Sequence, residues 1–253
     1  MSNKTDLSEI NSCGVEDLAK LAVDMLHRTV VHHVFWFKEV EHQMGFERAL
    51  EIMDTVYEKT KDIQIKRFSK LFGFAVKDGL PQYLLDMSRE QMIDVIENIG
   101  LNWLAVDGVW FQEVEFKHGM LDAKRCGDSC WAWFSPFEAW SIKRLLDLPD
   151  DSGLEGLKKA LPLRLYSRIN RQSIIEDDKG GVIYQMNDCR VQNARKRKGL
   201  DDYPCKSAGI VEHTNFARTI DPRIKTECLA CPPDDHPEDW FCAWRFYIPT
   251  EKG

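Results

Sequence analysis

Three features of this chain predict an α+β fold, an N-terminal helical region followed by an antiparallel sheet module with helices. Apolar residues recur at helical spacing through the first hundred residues. From Leu101 onward, short apolar runs flank turn sequences such as Asp107-Gly108 and Asp177-Asp178-Lys179-Gly180. Helix-starting and helix-breaking residues then alternate with those runs toward the C-terminus, as in mixed helices and antiparallel strands. The expected division is 1–100 for the helical region and 101–253 for the α+β module.

Residues 1–14 are polar and end in Cys13-Gly14, which reads as a loose lead-in. Leu18, Leu21, Ala22, Met25 and Leu26, continued by Val30, Val34, Phe37 and Val40, predict one long helix or two in succession over 15–45. Gly45 is a stop signal. A second helix follows over 46–71, with Ala49, Ile52, Met53 and Val56 on one face. A third covers 82–99. Ser88 and Gln91 have capping-box spacing, which marks a restart within it.

Trp103-Leu-Ala-Val106 and Val109-Trp-Phe111 flank Asp107-Gly108, and that arrangement predicts a hairpin. Ser135-Pro136-Phe137-Glu138 predicts a helix start, with Ser as cap, Pro at the first helical position and Glu three residues after the cap. That helix runs to about residue 146, before the breaker stretch 149–153. Another spans 154–169, bent or interrupted at Pro162. A second hairpin joins Ser173-Ile174-Ile175 to the run 181–186. Helices over 189–198 and 207–219, then strands over 223–226 and 240–248, complete the pattern.

The 253 residues are 43% hydrophobic, enough for a substantial core, and include eight Trp and thirteen Phe. A net charge of -7 argues against a general nucleic-acid binder. No run approaches the ~18–20 apolar residues of a membrane helix. The polar N-terminus shows no signal core, so the expected setting is the cytoplasm. Asn3-Lys4-Thr5 matches a glycosylation acceptor, which means little without a secretory signal.

Five of the eight cysteines lie between residues 189 and 242. In a reducing compartment, thiols gathered this closely point to metal or catalysis before disulfides. Cys228-x-x-Cys231 lets two soft sulfur donors reach one metal from a single turn, and Cys242 closes on them if the intervening loop folds back. Cys205 or Cys189 supplies a fourth ligand, with His213 or His236 as substitutes. The expected occupant is an iron–sulfur cluster or zinc. Metal-free reactive thiolates and ordinary buried cysteines are the competing readings. Cys126 and Cys130 form a separate pair, read as packing beside Trp131 and Trp133 or as a redox or ligand pair.

Glu39-x-x-His42 has one of the two motifs that a di-iron bundle needs, so an amphipathic helix with a solvated polar edge is the plainer reading. His33 and Glu41 on that helix are the acid/base candidates. Arg190, Arg195, Lys196, Arg197 and Lys198 follow Cys189 directly. Arg190 and Arg197, seven residues apart, share a face and would anchor a carboxylate or phosphate. The alternative is a solvated basic surface. Signatures for dinucleotides, P-loop nucleotides, zinc proteases and serine hydrolases do not occur.

The string Met186-Asn-Asp-Cys-Arg-Val-Gln-Asn-Ala-Arg-Lys-Arg-Lys-Gly, with Pro204-Cys205-Lys, Ile220-Asp-Pro-Arg-Ile, Cys228-Leu-Ala-Cys231-Pro-Pro-Asp and Cys242-Ala-Trp-Arg-Phe, resembles an uncharacterised family of cytosolic bacterial and archaeal proteins. His33-Val-Phe-Trp-Phe-Lys-Glu-Val-Glu41 resembles that family's N-terminal helix. More remotely, the order of Cys189, Cys205 and Cys242 is similar to the L-2-amino-thiazoline-4-carboxylic acid hydrolase family, whose activity opens a cyclic C–N bond. The C-terminal half also resembles 4-vinyl-reductase-type ligand-binding domains, in which Cys205, Glu227, Cys228 or Cys231, and Cys242 would fill the pattern. The CxxC and the Arg/Lys run depart from the hydrolase pattern.

Two functions are therefore expected as alternatives. One is a metal- or iron–sulfur-binding hydrolase of C–N or C–S bonds in a small anionic substrate, with the resemblance favouring hydrolysis over redox work. The other is a small-molecule-binding or redox-sensing module with a structural centre. The partners left open are a small-molecule substrate or ligand and a second copy of the chain. Nucleic acid and membrane are not expected partners.

Overall fold

In a computed structural model of the chain, residues 10–249 are described; the Asn3-Lys4-Thr5 match lies outside them. The fold is α+β. The chain divides into two compact units, the first ending at Asp86 and the second beginning at Met87.

In the first unit the helical periodicity is realised as one long helix, α1 (Val15–Met44), and a second, α2 (Phe46–Phe72). Gly45 joins them at φ 87°, a left-handed conformation that disfavours any residue with a Cβ. Phe37 and Phe46 meet edge to face at 6.2 Å beside this joint. A two-residue hairpin follows, β1 (Val76–Lys77) and β2 (Leu80–Pro81). Asp78 and Gly79 both have positive φ there, as a two-residue turn requires. A short α3 (Gln82–Leu85) ends the unit.

The second unit starts with α4 (Arg89–His118), where Ser88 and Gln91 form the expected capping box. The expected hairpin at Asp107-Gly108 does not form, because α4 runs straight through it. Residues 100 and 101, where the sequence pattern changes, also lie inside this helix. Gly119, at φ 90°, turns the chain into α5 (Met120–Leu145). The expected helix start at Ser135-Pro136 is corrected as well, since both lie within α5. The Ser135 hydroxyl donates to the Glu212 carbonyl at 2.6 Å instead of capping a helix. The helix expected over 154–169 shortens to α6 (Gly153–Ala160) and a 3-10 turn at Leu161–Leu163, as Pro162 dictates.

The sheet comprises β3 (Arg171–Glu176), β4 (Val182–Asp188), β5 (Lys225–Ala230) and β6 (Cys242–Tyr247), ordered β3-β4-β6-β5 and antiparallel throughout. Helix α7 (Arg190–Arg197) follows β4 directly, and α8 (Lys206–Ile220) precedes β5. Strand alternation buries Val182, Tyr184 and Met186 of β4 with Trp244 and Phe246 of β6. Helices α5, α6 and α8 contribute Ala139, Leu157, Phe216 and Ile220 to the same core.

Two close approaches fix this packing. A Cβ on Gly209 of α8 would lie 2.4 Å from the Trp244 ring, so the missing side chain lets helix and sheet meet. A Cβ on Gly100 of α4 would lie 2.5 Å from the Leu165 carbonyl. Among the described residues, no helix is long and apolar enough to cross a membrane.

Candidate functional site

A cavity of about 430 Å³ lies within the second unit. Helix α4 lines it with Trp103, Asp107, Phe111 and Glu115, four apart and therefore on one helical face. Helix α8 contributes Gly209, Glu212 and His213, its cap residue Cys205 joins them, and the sheet contributes Met186, Cys242 and Trp244. Trp131 and Tyr203 extend the aromatic wall: Trp103 meets Trp131 at 6.0 Å and Phe111 meets Tyr203 at 5.0 Å.

Cys189, Cys205, Cys231 and Cys242 all line this cavity, each at the end of an element or just beyond it. Cys189 and Cys205 precede α7 and α8, Cys231 follows β5, and Cys242 begins β6. Named backbone contacts hold these ends. Gln192, wholly buried, clamps the 203–205 segment through Tyr203 N–H at 2.8 Å and Tyr203 O at 2.9 Å. Its side-chain amide also donates to Cys205 Sγ at 3.1 Å. Lys206 N–H donates to Pro232 O at 2.9 Å, which ties the start of α8 to the residue after Cys231. Phe241 N–H donates to Met186 O at 2.8 Å and seats Cys242 opposite Met186.

Cys231 is the hub, with its thiol in hydrogen-bonding reach of both Cys205 and Cys242. Those two contacts, with burial, drive its pKa far up and keep it protonated. The Cys231 S–H offered to Cys242 has the opposite effect there and holds the Cys242 thiol below its ordinary range, against burial. Burial pushes Cys189 up to about 12 and Cys228 up to about 11. The contact between them thus favours the proton on Cys231 over Cys242.

Not every predicted site residue joins this site. Cys228 is a strand residue of β5, paired with Trp244, not part of a turn shared with Cys231. The strand has a register shift between Cys228 and Ala230, and Cys228 is not among the cavity's lining residues. Arg190 is exposed and lines the cavity, while Arg197 is exposed and lies outside the lining. His213 lines it and His236 does not. His33 and Glu41 belong to α1 of the first unit, with His33 exposed, and the cavity is built wholly from the second. Cys126 and Cys130 lie one turn apart on α5, both exposed. Among the described residues, no group of three or more His, Cys, Asp or Glu side chains is arranged to hold a metal ion.

Several site residues carry no motif. Glu212 accepts from the Tyr166 hydroxyl at 2.7 Å and pairs with Arg164 at 2.8 Å. Arg164 is buried between the rings of Tyr166 and Phe216, each 4.4 Å away, and also pairs with Glu138 at 2.9 Å. Burial, together with the Glu212 charge, holds the Asp107 carboxyl above its usual range. His213 is 4% exposed and stacks on Trp244 at 4.6 Å, and burial keeps its imidazole neutral. Its Nδ1 has no hydrogen-bond partner. The sequence signals for these residues were their spacings, Trp103-Asp107-Phe111-Glu115 on α4 and Cys205-Gly209-His213 on α8.

Residues 84–248 match a family of unknown function (DUF6125). No curated protein and no solved structure matches the chain.

Proposed function

We propose that this chain, which belongs to that family of unknown function, binds a small molecule in the cavity of its second unit and presents the Cys242 thiolate to it. The carrying observation is that Cys231 reaches two further sulfurs on the wall of an aromatic cavity. A buried thiol ordinarily resists ionisation, and the Cys231 proton offsets that resistance at Cys242. An aromatic pocket of this size with a few convergent polar groups has the form of a small-molecule site.

The chemistry that suits such a pair is nucleophilic cleavage of a C–N or C–S bond. Cys242 Sγ would bond to an acyl carbon as that carbon's bond to nitrogen or sulfur breaks. The Cys231 S–H would protonate the leaving group. Water would then cleave the thioester, releasing the acid and returning one proton to the pair. Such thiols call for a reducing compartment, which favours the cytoplasm.

The same sulfurs support a second reading. Three thiols this close in a buried wall cannot all ionise without a counter-charge, and zinc or an iron–sulfur centre would supply it. Cys205, Cys231 and Cys242 would be the donors, with Cys189 on the same wall as a fourth, once their side chains turned toward a common centre that they do not form as placed.

Anaerobic purification followed by metal and acid-labile sulfide quantification separates the two. Alkylation with iodoacetamide and mass mapping completes the test. Metal-free protein with Cys242 alkylated first at pH 7 is the expected result. Stoichiometric zinc, or brown protein with acid-labile sulfide, would replace the thiolate reading with the metal one.

A further inference from the structure

We infer that the ligand of this cavity carries a compact cation, such as a protonated amine, on an apolar body, and that Asp107 and Glu212 receive the cation. The inference rests on the small-molecule reading above and names the class of molecule that enters.

Its first support is the charge balance beneath the cavity wall. Arg164 serves two carboxylates at once, Glu138 at 2.9 Å and Glu212 at 2.8 Å. Within that cluster, one guanidinium against two carboxylates leaves a local negative charge beside Glu212. Asp107 faces the same space from α4 and is close enough to Glu212 for their charges to interact. A cation placed between them relieves that repulsion, while a carboxylate or phosphate would add to it.

The second support is independent of the acids. His213 lines the cavity, is nearly solvent-free, and leaves Nδ1 without a partner. A buried polar atom without a partner is costly, so native proteins rarely leave one unmet. With its proton on Nε2, the neutral imidazole is an acceptor, and an ammonium N–H is the donor that it lacks. The rings of Trp103, Phe111 and Trp131 supply faces that attract a desolvated cation. Three basic side chains also line the cavity, at positions set by α7. Arg190 and Lys198 are exposed on the α7 side, and Arg195 is drawn to Glu115 at 3.9 Å.

Three matched probes test this on the full chain at pH 7: 4-phenylbutylamine, 4-phenylbutan-1-ol and 4-phenylbutyrate, read by calorimetry and thermal shift. The amine should bind at least tenfold more tightly than the alcohol, and the carboxylate more weakly than either. Asp107→Asn, which removes no ion pair, should erase most of the amine's advantage and leave alcohol binding unchanged. Glu212→Gln should do the same if it folds. Carboxylate binding tighter than the alcohol, or an amine preference untouched in Asp107→Asn, would overturn the charge assignment while leaving the cavity a binding site. Failure of all three probes would overturn the small-molecule reading and this inference with it.

Discussion

The guanidinium of Arg164 meets the carboxylate of Glu212 at 2.8 Å with the arginine side chain wholly removed from solvent. Its Nε reaches Glu138 of α5 as well, and its plane lies between two aromatic rings. One residue after the 3-10 turn therefore ties α5 to α8 and sets the position of Glu212 in the cavity wall. Removing one partner of a buried ion pair typically costs about 3–5 kcal/mol, because the charges left behind lose their compensation. Arg164→Leu should lose stability of that order in urea unfolding. Arg164→Met, which restores length without charge, should not recover it. A loss under ~1 kcal/mol would show that solvent reaches this network.

Gly209 gives a second, purely steric prediction. The methyl of Gly209→Ala would fall 2.4 Å from the Trp244 ring, which is itself buried under α8. A contact this short forces either the Trp244 ring or α8 to shift. Overpacking of this kind costs about 1–3 kcal/mol. Because Cys205, Glu212 and His213 ride on the same helix or its start, the variant should also weaken ligand binding. Unchanged unfolding midpoint and unchanged tryptophan emission would refute the close packing.

Local signals were legible where neighbours did not compete with them. The capping box at Ser88 and Gln91 formed as its spacing dictates, and the 173–186 hairpin formed around its Asp-Gly-rich turn. The chain holds two Asp-Gly pairs, and they diverge. Asp78-Gly79 makes a hairpin, whereas Asp107-Gly108 lies inside a 30-residue helix. The difference is tertiary. Trp103, Asp107, Phe111 and Glu115 form one wall of the cavity only as a helix, and that packing outweighs the ~1 kcal/mol that a helical glycine costs.

Ser135-Pro136 misled for a similar reason, since the hydroxyl that looked like a cap is spent on Glu212 of a distant helix. Cysteine density pointed to the region where Cys189, Cys205, Cys231 and Cys242 line one cavity. It could not show that Cys228 would lie within β5 and outside the cavity lining, or that Arg164 would build the acidic side of the cavity.

Asp221 sets an acid limit. Its buried carboxylate accepts from the Gly153 N–H at 2.8 Å at the start of α6 and pairs with Arg223 at 2.6 Å. The Arg223 hydrogen bond, against some burial, holds its pKa at about 2, below the ordinary 3.8. A folded pKa below the unfolded one gives stability that is present above pH ~4 and lost as pH falls toward 2. The contribution is about 2 kcal/mol at neutral pH. Asp177, lowered to about 2 chiefly by Arg245, titrates in the same window. The test is therefore the difference between wild type and Asp221→Asn in unfolding free energy from pH 5 to 2. That difference should shrink as acid is added; a constant one would mean that Asp221 titrates normally in the folded chain.

The sulfur hub makes the sharpest prediction, because two residues shift in opposite directions from one shared proton. Cys242 is held down by the Cys231 S–H despite burial. In Cys231→Ala that donor is gone, and burial with the Glu212 charge is opposed only by the lesser Trp244 contact. The alkylation profile of Cys242 against pH should then move upward by at least one pH unit. Cys231→Ser keeps an O–H donor at the same position and should recover part of the shift. Exposed Cys126 on α5 is the control, and Cys126→Ser should leave the Cys242 profile where it was. If Cys231→Ala leaves that profile unmoved, some other group stabilises the Cys242 thiolate, and Cys231 cannot be the proton donor of the proposed reaction.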